Sequence, residues 1–259
     1  MRDNFAASKV LAHRELHFVL TYIKSKTPAL VKRGVRRGVV DPAKRMIDDW
    51  RLHRSIVKLR ARKTPDRELL EMLRRAWGNE AFSADVTYIS QLAARVMNCR
   101  ASILECGSGL TTIVAAVVAE KRGLTVWTLE QDRDWARYVE GAVARNGIRN
   151  TKIIYTPLYE YDGYVWYDVD GLELPKRFDL VLCDGPAVFE HWGASHAQWR
   201  YGVLPVLASR GIELGEILLD DATEPRAPNV LKRWFEEFGF KHDRISAADG
   251  DCALVSRER

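Results

Sequence analysis

From residue 102 onward, short apolar runs alternate with stretches of helical spacing, and this rhythm constrains the fold more than any other feature of the sequence. The runs cover 102–106, 125–130, 152–155, 178–184 and 216–220. Each is strand length, and a helical stretch separates it from the next, which is the pattern of a parallel sheet with crossover helices. Two further runs, 241–245 and 252–256, lie either side of Asp249-Gly250-Asp251 and predict a terminal hairpin. Five alternating units closed by a hairpin is a narrower specification than a generic doubly wound sheet.

The first run feeds a glycine turn, Glu105-Cys106-Gly107-Ser108-Gly109, and an apolar helix follows through 113–119. Gly107 and Gly109 let the backbone approach a ligand without a Cβ in the way. The turn stands at the carboxyl end of a strand, where open α/β sheets bind ligands. Dinucleotide-binding turns usually continue to a third glycine, whereas Thr112 stands there. Glu105, just before the first glycine, suits a cation better than a pyrophosphate. That favours S-adenosylmethionine (SAM), with its sulfonium and ammonium, over a nicotinamide dinucleotide. The second run, Val126-Trp127-Thr128-Leu129-Glu130, ends in a carboxylate that can accept both hydroxyls of a ribose. A strand-end acid can also cap the next helix, a task open equally to Asp132 or Asp134.

These motifs, together with Asp184 in Phe178-Asp179-Leu180-Val181-Leu182-Cys183-Asp184-Gly185-Pro186 and with Ile217-Leu218-Leu219-Asp220-Asp221, resemble the ordered motifs of class I SAM-dependent methyltransferases. The likeness covers about residues 78–257. Trp166-Tyr167-Asp168 and Arg200-Tyr201-x-x-Leu204-Pro205 look like those of a bacterial branch related to small-molecule O-methyltransferases. The resemblance implies a Rossmann-like, mostly parallel seven-stranded sheet whose last strand is antiparallel. It implies cofactor contacts from Glu105, Gly107, Ser108, Gly109, Thr111, Thr112, Glu130, Gln131 and Asp184, with Thr156, Pro157 and Leu158 along the adenine edge.

Asp184, Asp220 and Asp221 end two successive runs, and neighbouring parallel strands about 4.8 Å apart would let their carboxylates converge. Catechol-type O-methyltransferases hold a divalent cation with two aspartates and an asparagine at similar strand ends. Asp221 would here replace the asparagine, and three carboxylates suit Mg²⁺. Those enzymes also carry a lysine three residues after the first aspartate, where this chain has Ala187. The alternative is a metal-free site in which Asp184 faces the acceptor and Asp220 and Asp221 are held by backbone N–H groups. His191 and His196 follow Asp184, and either could take a proton from an attacking hydroxyl; loop histidines are also commonly just solvated. Tyr164, Trp166, Tyr167, Trp192 and Trp199 flank the fourth run, as an acceptor pocket or as packing of an insert against the sheet.

The N-terminal part differs in charge. Residues 1–67 hold 18 Lys/Arg against 6 Asp/Glu, and residues 68–259 hold 22 against 29. The division expected is a helical, basic extension over 1–77 and a methyltransferase domain over 78–259. Helices are expected over 9–24, 43–62, from Pro65 to about 77, and over 83–97 with Ser83 as cap. The basic arm suits a membrane surface, nucleic acid or acidic glycan, or pairing with its copy in a second subunit; a solvated helical face explains it equally well. No apolar run approaches the length of a membrane span. Four dispersed cysteines fit reduced, buried thiols in a cytoplasmic protein, free or peripheral to a membrane. The function expected is methyl transfer to an oxygen or nitrogen of a small-molecule or glycan acceptor. A nucleic-acid substrate is the runner-up, although Asp184-Gly185-Pro186-Ala187 lacks the aromatic run of base-amino methylating enzymes. A non-catalytic SAM-binding scaffold is the reading from a different class.

Overall fold

The computed structural model describes residues 42–79, 82–188, 190–248 and 250–257; the helix expected over 9–24 lies outside them. Helices α1 (Pro42–Ala61), α2 (Arg67–Trp77) and α3 (Val86–Val96) precede the sheet. Then come β1 (Ile103–Cys106), α4 (Leu110–Glu120), β2 (Val126–Glu130), α5 (Arg133–Arg145) and β3 (Thr151–Tyr155). A two-stranded hairpin, β4 (Leu158–Tyr161) and β5 (Tyr164–Tyr167), intervenes before β6 (Arg177–Cys183). A 3₁₀ segment (Glu190–Gln198), α6 (Val203–Ser209), β7 (Glu213–Asp220), α7 (Ala227–Phe238), β8 (Phe240–Ala247) and β9 (Gly250–Arg257) complete the order.

The seven main strands lie in the order β3-β2-β1-β6-β7-β9-β8. β1 pairs in parallel with both β2 and β6, and β6 with β7; β9 runs antiparallel to β7 and to β8. The fold is therefore the expected Rossmann-like sheet with an antiparallel last strand. The strand order reverses at β1 and β6, so the crevice above their carboxyl ends is the topological switch point.

Both faces of the central strands are buried, which is why β1 and β6 read as near-continuous apolar runs, whereas the edge strands β3 and β8 are partly and largely exposed. Side chains nevertheless alternate. Ile103, Leu180, Leu182 and Leu218 face a core with α1–α5, while Leu104, Val181, Cys183, Ile217 and Leu219 face the core with α6, α7 and the hairpin. Every residue of α4 from Leu110 to Ala119 is buried, so this mostly apolar helix is enclosed all round.

Helix α1 joins the same core through Leu52, Ile56 and Leu59. Its far end is tied down as well. Arg60 donates to Glu120 at 3.0 and 3.2 Å and to the Asn146 carbonyl at 3.0 Å. Asp66 caps α2 by accepting from the Leu69 N–H, and Gly78 ends it at φ +73°. The cap of α3 is Asp85, which accepts from the Tyr88 N–H, whereas the expected Ser83 donates its hydroxyl to the Asn79 carbonyl. Both positions suit the sequence rule, and the helix starts at the later one because Asp85 has the extended backbone that a cap requires.

Candidate functional site

The turn after β1 is shaped by two glycines with different reasons to be there. Gly107 takes φ +90°, and a Cβ on it would stand 3.2 Å from the Gly185 nitrogen. The loops leaving β1 and β6 thus touch backbone to backbone. Gly109 has nothing within 4 Å of where its Cβ would be, so the turn opens there. Its N–H donates to the Thr112 hydroxyl, and that hydroxyl donates to Glu105 Oε2 at 2.7 Å. Thr128 donates to the same oxygen at 2.8 Å. Glu105 Oε1 is buried without a hydrogen bond of acceptable geometry. Burial pushes the Glu105 carboxyl up to about 7, against the pull of the Thr111, Thr112 and Thr128 hydroxyls and with a smaller push from Asp184.

Glu130 ends β2 beside this turn. Oε2 accepts from the Ser108 N–H at 2.9 Å and its hydroxyl at 2.7 Å, and Oε1 accepts from the Asp132 N–H at 2.8 Å. The capping role falls to Asp132, which accepts from the N–H groups of Asp134 and Trp135. The Trp135 indole N–H donates to the Ser108 carbonyl at 2.7 Å, so the glycine turn is held from both sides. Gln131 is engaged elsewhere: its amide donates to the Ala187 carbonyl and accepts from the Ala187 N–H. It ties the β2 end to the loop after β6. Thr156 is buried after β3, with its hydroxyl on the Asp168 carbonyl, and Leu158 opens the hairpin opposite Tyr167.

One carboxylate oxygen from each of Asp184, Asp220 and Asp221 lies within 4.8 Å of the others. The expected convergence is present, and a fourth residue stands in it. Arg200, only 3% exposed, donates from Nη2 to Asp184 Oδ1 at 3.0 Å and to Asp221 Oδ2 at 3.2 Å. The same nitrogen reaches the Asp184 carbonyl, and Nη1 reaches the carbonyls of Cys183 and Asp220. The guanidinium lies 3.8 Å from the centroid of Trp199. Burial opposes the Arg200 charge, but the surrounding carboxylates hold it protonated. Burial, then the charges of Asp221, Asp184 and Asp85, raise the Asp220 carboxyl well above the usual carboxylate range despite Arg200. The sequence offers the Arg200-Tyr201 passage only as part of a family resemblance, with no role for Arg200; that role appears only once the ends of β6 and β7 are adjacent.

His191 falls in the 3₁₀ segment, with its side chain outside the described residues. His196 Nε2 lies 2.7 Å from Arg226 Nη1. A guanidinium can only donate, so this ring nitrogen is the acceptor in that contact. Trp166 and Tyr167 are wholly buried and Trp199 lies under Arg200, so these three pack the insert against the sheet. Tyr164 stacks on Tyr161. All four cysteines are free and buried.

No protein-family model and no curated protein matches this sequence. Solved structures do. An S-adenosylhomocysteine-bound methyltransferase of Podospora anserina, PaMTH1, superposes with a TM-score of 0.53 at 15% identity, over 75% of this chain and 89% of that one. A Staphylococcus aureus protein provisionally named a caffeoyl-CoA O-methyltransferase gives 0.51 at 13% identity, over 80% and 99%. At such identities the likeness is one of architecture: this chain has the fold of the class I SAM-dependent methyltransferases.

Proposed function

We propose that this protein transfers the methyl group of SAM to an oxygen or nitrogen of a small-molecule or glycan acceptor. The observation that carries the reading is the pair of carboxylates flanking the open glycine turn at the switch point. Glu105 and Glu130 make this cradle acidic, which suits an ammonium and a ribose and opposes a pyrophosphate. Glu105 Oε1, buried and with no well-formed hydrogen bond, is the acceptor for the ammonium, and the open space at Gly109 admits the ligand backbone-close. Glu130 accepts the ribose hydroxyls after the Ser108 hydroxyl turns away. SAM supplies a methyl group already activated on a sulfonium. The residues of the chain then align, exclude water and take the acceptor's proton. Asp184, partly exposed and fixed by Arg200, is assigned that last task; Asp220 and Asp221 shape its surroundings, and His191 stays a second candidate. The chemistry is assigned to 78–259, with 1–77 as the basic extension.

The test is calorimetric titration with S-adenosylhomocysteine. Binding requires ionised Glu105, whose folded carboxyl titrates near 7, so affinity rises about tenfold between about pH 6 and about pH 8, with proton release. The sign for stability is opposite. A carboxyl raised from 4.5 to about 7 favours the folded state at acid pH. From this group, the free protein loses on the order of 3 kcal/mol as the pH rises from about 4.5 to a little above 7. Absence of binding by folded protein would leave the fold and remove the function.

A nucleic-acid substrate is less well supported. Cys183 is wholly buried, which is unsuited to a cytosine C5 nucleophile. For the arm, an anionic membrane surface is the partner favoured, with the protein on its cytoplasmic side. α1 exposes Met46, Ile47, Trp50 and Val57 away from the core, and Arg51, Arg54, Lys58 and Arg75 line a groove of about 410 Å³ beside Trp50. Among the described residues, no helix is long and apolar enough to cross a membrane. Co-sedimentation with phosphatidylglycerol vesicles, but not phosphatidylcholine ones, is expected, and R54E/K58E weakens it by about tenfold or more. Unchanged vesicle binding alongside a monomer–dimer shift in ultracentrifugation would instead give the face to a second copy.

A further inference from the structure

We infer that the guanidinium of Arg200 stands where a divalent cation would otherwise bridge the ends of β6 and β7, so that the acceptor is held by Asp184 directly and no metal is needed. The inference rests on the methyltransferase reading for its meaning, although the geometry is independent of it. Asp184, Asp220 and Asp221 present oxygens within 4.8 Å of one another, a spacing that a hard cation could bridge. The space between two of them is filled. Arg200 Nη2 contacts Asp184 Oδ1 and Asp221 Oδ2 at once, as a bridging ion would, at 3.0 and 3.2 Å.

Two further features show that the arrangement is built in. Arg200 and Asp221 both adopt positive φ, 59° and 53°, a region that residues other than glycine enter rarely and at a cost. The backbone accepts that conformation on both sides of the contact. In addition, Asp220 is buried in this cluster, so a hydrated divalent ion would have to shed its water to reach the third carboxylate. A divalent ion entering here would have to displace a guanidinium anchored by three backbone carbonyls, those of Cys183, Asp184 and Asp220.

The consequence for specificity follows from hydrogen-bond capacity. A metal would chelate two neighbouring oxygens of an acceptor. Arg200 has its terminal nitrogens engaged by the protein, so it offers no such grip. The acceptor therefore presents a single hydroxyl or amine to Asp184 and needs no adjacent oxygen.

The experiment uses the full chain and Mn²⁺, followed by electron paramagnetic resonance, so it does not depend on finding an acceptor. The wild type is expected to leave Mn²⁺ free. Arg200→Gln is expected to bind it on the order of tenfold or more tighter, and the added change Asp184→Asn is expected to abolish that gain. Binding by the wild type that Asp184→Asn removes would overturn the inference, as would a folded Arg200→Gln that binds no Mn²⁺. Should Arg200→Gln lack a cooperative melt, Asp221→Asn with Arg200 in place decides the matter. Exclusion of Mn²⁺ by both wild type and Asp221→Asn supports the inference; wild-type binding lost in Asp221→Asn refutes it. Titration with S-adenosylhomocysteine in the same preparations reports separately on the methyltransferase reading.

Discussion

Glu130→Ala is expected to weaken S-adenosylhomocysteine binding by roughly two to three orders of magnitude while the protein still melts cooperatively. Two hydrogen bonds from ribose hydroxyls to a carboxylate, each worth about 1.5–3 kcal/mol, set that scale. The fold is expected to survive because the Asp132 carboxylate itself caps α5, although its N–H loses the bond to Glu130 Oε1. A confounding role exists, since Glu130 also holds Ser108 in the glycine turn. Ser108→Ala separates the two. It removes the hydroxyl bond but keeps the carboxylate and the backbone N–H, and its affinity is expected to stay within a few-fold of wild type. Equal losses in the two variants would make Glu130 a loop tie and not a ligand contact.

The second large effect is steric. In Gly202→Ala the new Cβ would lie 2.4 Å from Trp166 Cβ and 2.5 Å from its Cγ. Trp166 is wholly buried and has nowhere to go. Overpacking of this kind costs about 1–3 kcal/mol or more, read as a lowered denaturation midpoint. Because Arg200 is two residues earlier, the same displacement would disturb its contact with Asp184, so on the proposed function methyl transfer is expected to fall further than stability alone predicts. Gly211→Ala is the comparison. Gly211 has φ +64° but no atom within 4 Å of the Cβ position, so only the backbone term of about 1 kcal/mol applies. A Gly202→Ala protein as stable as wild type would show that the hairpin yields where the packing says it cannot.

What the sequence makes legible is what local pattern determines. The central apolar runs became β1, β2 and β6 because burial on both faces demands near-continuous apolar residues, and Gly250-Asp251 opens β9 directly after β8, an edge strand that is largely exposed. The glycine turn and Glu130 were visible for the same reason: both belong to one short segment each. The β4–β5 hairpin escaped notice although its signal was present, as Asp162-Gly163 separates two aromatic-rich strands joined in antiparallel register. Its polar and tyrosine-rich strands resemble a loop because the hairpin lies outside the main sheet, with Tyr159 exposed. Arg200 illustrates the other limit. A buried cation is chosen by carbonyls and carboxylates that come from two strands, and no window of sequence holds both. Ser83 and Asp85 mark a third limit, since two residues suited to a cap lie two apart, and only the folded chain shows that Asp85 accepts from the Tyr88 N–H while Ser83 donates to the Asn79 carbonyl.

The attachment of α1 and α2 has an electrical consequence. Residues 42–77 carry eleven Lys/Arg against five Asp/Glu, while 78–259 carry twenty against twenty-seven. Leu52, Ile56, Leu59 and Leu73 fix that positive portion into the same core as α4, and Arg60 clamps it to Glu120. Opposite charges held at a fixed separation make a permanent molecular dipole. An anionic surface would exert a torque on it before any contact forms, so the molecule would arrive already turned, with α1 leading.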